Sequence, residues 1–276
     1  MNSNNENSLP IKRNLKLLYI LSFIIASLMA IASIAGVLFR SRIYPTDELL
    51  STFISNDVVN LLIGLPIILG SMLLAMRGKL IGLLFWPGAL FFVLYNYFIY
   101  VLAMSFNLAF LLHLTLITLS VYTLIILIAS IDGKPIQQRL AGNVHERIVG
   151  GILVGMGLLF FLQVVGVMIN SLANQIPITV TELALHVSDF LISPALVIGG
   201  MLLWRHKEFG YVSGLGLLFQ TSMLFVGLII FLIIQPFLTS TPFLLADVVV
   251  VFIMGLICFI PLALFVRGIG VKDNPS

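Results

Sequence analysis

Six polar or amphipathic side chains occur within or beside long apolar runs of the sequence, where ligand binding or proton transfer would require them. They are Asp57, Tyr95, Asn96, Tyr97, His113 and Gln163. A polar group in hydrocarbon must find a partner, and an ionisable residue there is a functional candidate by default. Counted at about 1.5 Å per residue along their helices, they concentrate in the same half of the membrane. We therefore predict one outward-facing polar pocket that binds a small solute, an ion or a lipid, with Tyr95 and Tyr97 shaping it.

The same residue types also fit a purely structural role. Asn and Gln side chains often join transmembrane helices through hydrogen bonds worth under ~1 kcal/mol each. Asp57, Asp189 and Asp247 stand at predicted helix starts, where a carboxylate caps the first turn and interacts favourably with the helix dipole. The sequence leaves open whether these acids bind a ligand or only cap helices.

Motifs for other chemistry are missing from the sequence. It contains no HExxH or CxxC pattern for a metal, no GxSxG elbow and no glycine-rich phosphate loop ending in Lys-Ser or Lys-Thr. We therefore predict no catalytic residues, no metal and no cofactor; the sequence favours a protein that is not an enzyme but leaves that question open. A membrane-embedded enzyme acting on a lipid or quinone is the third interpretation, and it would need His113 paired with an acid in one cavity.

The elements that position these residues are long apolar helices. The chain of 276 residues is 60% hydrophobic and 9% charged, whereas soluble domains carry about 25% charged residues. Eight apolar runs are long enough for a hydrocarbon core of about 30 Å. The predicted fold is therefore an all-α bundle of eight transmembrane helices, near 17–39, 58–76, 80–104, 108–131, 148–169, 187–204, 211–235 and 245–266.

Basic residues alternate between the polar breaks of the chain and so predict its orientation. Twelve of the fourteen Lys and Arg residues fall in the first, third, fifth, seventh and ninth breaks. Since basic loops stay on the cytoplasmic side, both termini are predicted to be cytoplasmic. The net charge of +3 then reflects topology and contact with membrane lipids, and no nucleic-acid partner is predicted. The first run is interpreted as a retained helix, not a cleaved leader.

The chain also contains signs of a tandem duplication of a four-helix unit. At an offset of 128 residues, prolines, glycines and basic residues coincide in the pairs Pro66/Pro194, Arg77/Arg205, Lys79/Lys207, Gly82/Gly210 and Gly88/Gly216. The predicted units are 17–134 and 148–276, with a polar cytoplasmic tail at 1–16 and a cytoplasmic linker at 135–147. Residues 45–57 and 177–189 are each predicted to form a short outer helix before the next span, the second with capping-box spacing between Thr179 and Glu182.

The strings GLLFWPGALFFVLYNYFIYVLAMSFNLAFLLHLTL, YVSGLGLLFQTSMLFVGLII and VVVVFIMGLICFIPLALFVRGIG resemble uncharacterised multi-pass membrane proteins of prokaryotes. The resemblance covers residues 55–270 and implies no activity, but it favours a prokaryotic cytoplasmic membrane as the location. A transporter-like protein is the leading functional hypothesis. The alternative is a non-catalytic subunit or assembly partner of another membrane protein, which would dock through stripes of small residues such as Gly151 and Gly155.

Overall fold

The computed structural model describes residues 9–270, so residues 1–8 of the predicted tail and residues 271–276, with Lys272, lie outside the described residues. The described chain is helical, with no β-strand in this range, and helix accounts for 85% of the residues. The helices are α1 (Lys16–Leu38), α2 (Arg40–Ile43), α3 (Asp47–Val59), a π-helix (Asn60–Gly64), α4 (Leu65–Met76), α5 (Leu80–Ala103), α6 (Leu108–Ser130), α7 (Gly133–Leu140), α8 (Glu146–Asn174), α9 (Val180–Trp204), α10 (Glu208–Leu238) and α11 (Leu245–Gly270).

Eight of these helices are long and apolar enough to cross a membrane, counting α3, the π-helix and α4 as one continuous helix of 30 residues. This confirms the predicted all-α class and the predicted number of spans. The eight helices are not equally buried. α5 is the most buried and forms the centre of the bundle, whereas α8 and α11 are the least buried. The core therefore surrounds α5.

The two predicted outer helices are wrong as separate elements. Residues 47–76 form one helix interrupted only by the π-helix Asn60–Gly64, and α9 is continuous from Val180 to Trp204. Each predicted outer segment is instead the first few turns of the following span. Thr46 accepts a hydrogen bond from the Leu49 amide at the first start, and the predicted capping box of Thr179 and Glu182 is present at the second. These caps fix where the spans themselves begin.

Most of the predicted linker 135–147 is structured. Helix α7 (Gly133–Leu140) buries Ile136 and Leu140, and it packs against α10. The Gln137 side chain donates a 2.5 Å hydrogen bond to the carbonyl oxygen of His206. This end of the bundle also holds the segment before α1, where the Asp132 amide donates to the Pro10 carbonyl oxygen at 2.8 Å. We call it the basic end, because the connections that bear Arg77, Lys79, Arg205 and Lys207 lie there.

The connections α4–α5 and α9–α10 at the basic end have the same backbone hydrogen bonds. Three successive amides in each connection donate to carbonyl oxygens of the preceding helix, at 2.9 to 3.0 Å. The bonds are Arg77 to Leu73, Gly78 to Ala75 and Lys79 to Leu74 in the first connection, and Arg205 to Met201, His206 to Leu203 and Lys207 to Leu202 in the second. The middle residue is left-handed in both connections, with a φ of 73° at Gly78 and 53° at His206.

α5 and α10 cross each other at two glycines in the third turn from the basic end. A Cβ atom placed on Gly88 would lie 2.1 Å from the carbonyl oxygen of Gly216, and one on Gly216 would lie 3.1 Å from that of Leu84. Helices in a membrane associate through close backbone approach of this kind, because lipid tails are as apolar as Leu side chains. On either side of the crossing, α5 also packs against α9 and α10 also packs against α3.

Gly88→Ala is expected to lower the free energy of unfolding by about 1–3 kcal/mol, because the added methyl group forces α5 and α10 apart. Gly70→Ala is the matched control, since a Cβ there meets no atom within 4 Å. Thermal unfolding of both variants in the same detergent measures the difference. Equal midpoints for Gly88→Ala and Gly70→Ala would show that the α5–α10 contact tolerates separation.

Candidate functional site

Helix α5 divides the six predicted site residues into two groups. Tyr95 and Asn96 face a cavity together with Gln163 of α8. Tyr97 points to the other side of α5, where Asp57 and His113 are buried. The direction of the three α5 residues follows from the helical period. Around the helix axis, positions 95 and 96 are rotated from position 97 by about 200° and 100°. The predicted single pocket is therefore two neighbouring sites.

The first site is a buried carboxylate held by phenol groups. Asp57 is 1% exposed. One of its carboxylate oxygens accepts a 2.5 Å hydrogen bond from the Tyr44 hydroxyl, and the other accepts a 2.8 Å bond from the Tyr100 hydroxyl. Burial, with the neighbouring Asp57 charge, raises the pKa of the Tyr44 phenol above its ordinary value, so Tyr44 remains a donor at neutral pH. Gly36 of α1 closes the site, since a Cβ there would clash with the carboxylate.

Aromatic rings fill the space around this carboxylate. The His113 ring lies 4.7 Å from the Tyr100 ring and 5.4 Å from the Tyr97 ring, measured between centroids. Neither the Nδ1 atom of His113 nor the Tyr97 hydroxyl has a hydrogen-bond partner among the described residues. His113 thus packs as an aromatic side chain in this arrangement, and it forms no hydrogen bond with Asp57. We call Tyr44, Asp57, Tyr97, Tyr100 and His113 the Asp57 cluster.

The second site is a cavity of about 470 Å³ between α3, α5, α8, α9, α10 and α11. Its volume lies in the range of small-molecule sites, roughly 300–1,000 Å³. Most of its wall is aromatic or aliphatic, including Phe92, Phe225, Leu228, Phe231 and Met254. Leu228 and Leu185 in this wall are 43% and 41% exposed, so the cavity is open at the surface of the bundle.

The α5–α9 wall of the cavity carries a carboxylate and an amide side by side. The Tyr95 hydroxyl donates a 2.8 Å hydrogen bond to Asp189 Oδ1. Asn96 is 4% exposed, and its Nδ2 donates a 3.0 Å bond to the Phe92 carbonyl oxygen. That bond directs the Asn96 Oδ1 acceptor away from the α5 backbone, and no described residue donates to it. Gln163 is on the α8 side of the cavity, where its side chain is exposed.

The mouth of the cavity is held by hydrogen bonds between distant parts of the chain. One carboxylate oxygen of Glu48 accepts from both the backbone amide and the hydroxyl of Thr181, at 3.0 and 2.7 Å. Glu48 is in the first turn of α3 and Thr181 is in the first turn of α9, so a carboxylate also meets the positive end of the α9 dipole. Gln235 of α10 donates a 3.1 Å bond to the Ser51 carbonyl oxygen.

Sequence reasoning did not include three residues of these sites: Tyr44, Tyr100 and Asp189. Asp189 was noted as a helix-capping acid, and the structure places it beyond the second turn of α9, where Tyr95 reaches it. The available signal was its distance from the predicted N-cap: Asp189 follows Thr179 by ten residues, which is too deep for a cap. Tyr44 carried no signal, because only the path of the α2–α3 connection brings its ring to Asp57.

The chain matches no protein-family model, and no curated protein or solved structure is significantly similar to it. The resemblance to prokaryotic membrane proteins thus stays a prediction, and the functional argument depends on the two sites.

Tyr100→Phe is expected to lower the free energy of unfolding by about 1–3 kcal/mol, because the buried Asp57 carboxylate loses one of its two donors. Tyr122→Phe is the control, since Tyr122 is 62% exposed and substitutions at such sites usually change stability by less than about 0.5 kcal/mol. Chemical unfolding of both proteins in the same detergent checks this. An unchanged Tyr100→Phe protein would mean that the carboxylate does not need the second phenol.

Proposed function

We propose that the protein is a multi-pass protein of a prokaryotic cytoplasmic membrane that binds a small solute or lipid in the cavity, in the manner of a transporter. The observation that carries the proposal is the cavity itself, which is about 470 Å³ in volume and open at the bundle surface. It joins a largely apolar wall with a few convergent polar groups, which is the usual composition of a small-molecule site. Tyr95, Asn96 and Gln163 are the predicted site residues that line it.

We further propose that the basic end faces the cytoplasm and that both termini lie there, with the cavity in the outer half of the membrane. The distribution of Lys and Arg supports this orientation through the positive-inside rule. The segment before α1 and the α6–α7 connection meet at the same end, through the Asp132 and Pro10 backbone bond. The Glu48–Thr181 contact at the cavity mouth lies at the other end of the bundle, where α3 and α9 both begin.

A tandem duplication is proposed as the origin of the fold. The identical hydrogen bonds of the α4–α5 and α9–α10 connections support it, because every equivalent atom pair differs by 128 residues. The crossing of α5 and α10 supports it as well, because Gly88 and Gly216 are themselves equivalent at this offset. Each unit has four spans, so the two units would be parallel and related by an axis along the membrane normal, an arrangement known in carriers.

The alternative functions have less support from the contacts. A docking subunit needs free small-residue faces, but Gly214 packs against the Leu203 side chain within the chain. Gly155 meets no atom within 4 Å and is the best remaining contact point for a membrane-protein partner. An enzyme acting on a lipid or quinone needs an acid beside His113, and the nearest ring contacts of His113 are two tyrosines.

Cysteine labelling tests the orientation. In a Cys258→Ser background, Phe106→Cys is expected to react with a membrane-impermeant maleimide in intact cells, because Phe106 is 79% exposed in the connection opposite the basic end. Arg77→Cys is expected to react only after permeabilisation, since it lies in a basic connection. The reverse pattern would invert the orientation and place the cavity in the cytoplasmic half.

Leu228→Trp is expected to reduce cavity binding at least tenfold, because the larger ring occupies the open part of the cavity. The probe is uncharged 4-phenylbutanol, titrated calorimetrically into the protein in nanodiscs, with empty nanodiscs as the blank. Ile125→Trp is the matched control, since Ile125 is 60% exposed on α6 and does not line the cavity. Equal affinity in the two variants would place binding elsewhere and would contradict the proposed function.

A further inference from the structure

We propose that the cavity selects amphipathic molecules with an apolar, ring-sized body and a cationic ammonium head, and that Asp189 and Asn96 receive that head. This inference rests on the proposed function, and it names the chemical class of the ligand. It is carried by three independent observations, which are the hydrogen-bonding character of the polar wall, its charge, and the composition of the matching space in the first unit.

The polar wall offers acceptors that nothing in the described chain uses. Tyr95 occupies Asp189 Oδ1, whereas the second carboxylate oxygen of Asp189 receives no hydrogen bond from a described residue. Asn96 Oδ1 is a second unused acceptor, since the orientation of the amide is fixed by its bond to Phe92. Asp189 is half-buried and both acceptors border the cavity, so a ligand with several N–H donors gains most here.

The charge of the cavity wall has one sign. Its ionisable lining residues are Glu182 and Asp189, besides the tyrosine phenol, and the lining contains no Lys, Arg or His. Glu48 adds a third carboxylate at the mouth through its bonds to Thr181. His186, one turn before Asp189 on the same helix, is the basic side chain that interacts favourably with this carboxylate from outside the cavity lining. A phosphate or carboxylate head group would be placed against these acids, whereas an ammonium group would be attracted.

Two positions of the cavity wall have counterparts in the Asp57 cluster. At the 128-residue offset, Tyr97 and Tyr100 of the Asp57 cluster correspond to Phe225 and Leu228 of the cavity wall. In the first unit these two phenol rings are buried, and the Tyr100 hydroxyl donates to the Asp57 carboxylate. At these two positions of the second unit the hydroxyls are absent and one ring is replaced by Leu. The counterpart of Asp57 is Leu185, so the carboxylate beside the cavity, Asp189, is a separate feature of the second unit.

The Asp57 cluster offers a chemical analogy for the complex. An apolar ring with a hydrogen-bond donor that points at a carboxylate is what the first unit supplies from its own chain. By this analogy, the ligand of the cavity is an aromatic ring with a hydrogen-bond donor at the end of a short chain. Aromatic side chains in the wall, including Phe92 and Phe225, add cation–π attraction for an ammonium head, worth about 0.5–2 kcal/mol.

The two units also differ in how tightly their outer helices close the bundle towards the membrane. In the first unit α6 packs along α1, and Trp86 of α5 donates a 2.9 Å hydrogen bond to Ser22 of α1. In the second unit the equivalent helices α8 and α11 make only a small contact. The cavity therefore has a lateral opening between α8 and α11, through which an amphipathic molecule dissolved in the membrane enters with its apolar body.

A matched series of probes tests the inference. 4-Phenylbutylamine, 4-phenylbutanol and 4-phenylbutyrate share one apolar body and differ in head-group charge, and each is titrated calorimetrically at pH 7 into the protein in nanodiscs, with empty nanodiscs as the blank. We expect the ammonium probe to bind at least tenfold more tightly than the carboxylate probe. Asp189→Asn should reduce this ratio to less than threefold, because Asn keeps an acceptor for Tyr95 but loses the charge.

Two further variants control the result. Asp47→Asn makes the same charge change on an exposed residue at the same end of the bundle and should leave the ratio unchanged. Glu182→Gln keeps an acceptor for the capping box at Thr179 and should lower the ratio by about half as much, on a logarithmic scale, as Asp189→Asn. It therefore tests the charge even if Asp189→Asn does not fold.

The outcomes separate the two proposals. Equal affinity for all three probes, or a preference for the carboxylate, would overturn the cationic selectivity and leave cavity binding intact. A preference for the ammonium probe that survives Asp189→Asn and Glu182→Gln would overturn the assignment of these acids. Binding of none of the probes above the empty-nanodisc blank would contradict the proposed function and this inference with it.

Discussion

The close contact between Gly88 and Gly216 is the constraint on which the rest of the structure depends. It brings the backbones of α5 and α10 together in the third turn from the basic end, and α3, α6, α9 and α11 each pack against one of these two helices. α5 carries tyrosines in two directions, so its position decides which carboxylate each of them reaches. A side chain at either glycine would widen the crossing and move both sites.

The two sites represent different solutions to one energetic problem, the presence of a carboxylate among apolar helices. Asp57 is satisfied within the protein by Tyr44 and Tyr100. Asp189 is satisfied only in part, through Tyr95. Because Asp57 is fully buried, its two phenol donors stabilise the fold. Asp189 is half-buried and keeps one oxygen open to a bound molecule. This difference is why we assign binding to the second site and a structural role to the first.

Much of the architecture could be predicted from the sequence, because apolar length and charge alternation act over whole segments. Eight spans and an all-α class follow from hydrophobic runs that no soluble fold needs, and both are confirmed. The capping box at Thr179 was also found from spacing, but the helix that it starts is the span itself. A cap shows where a helix begins and contains no information about where it ends.

The composition of the sites could be predicted only in part. Membrane depth identifies Asp57, Asn96 and His113 as unusual residues, but depth alone does not give the direction of a side chain around the helix axis. One residue step rotates that direction by about 100°, which is enough to move Tyr97 out of the cavity that Asn96 lines. Tyr44 lies outside the eight spans, so a search limited to those segments misses it.

The Glu48–Thr181 contact has a mechanical consequence. It joins α3 and α9, which belong to the two proposed four-helix units, at one end of the bundle. The glycine contact between α5 and α10 lies about 22 Å from that end of α5 at ~1.5 Å per residue. Over such a lever arm, a rocking of one unit by about 10° moves the far end by about 4 Å, which exceeds the length of a hydrogen bond. Glu48 would release Thr181 long before the glycine contact at the fulcrum changed, so the first bonds lost in such a motion are those at the cavity mouth.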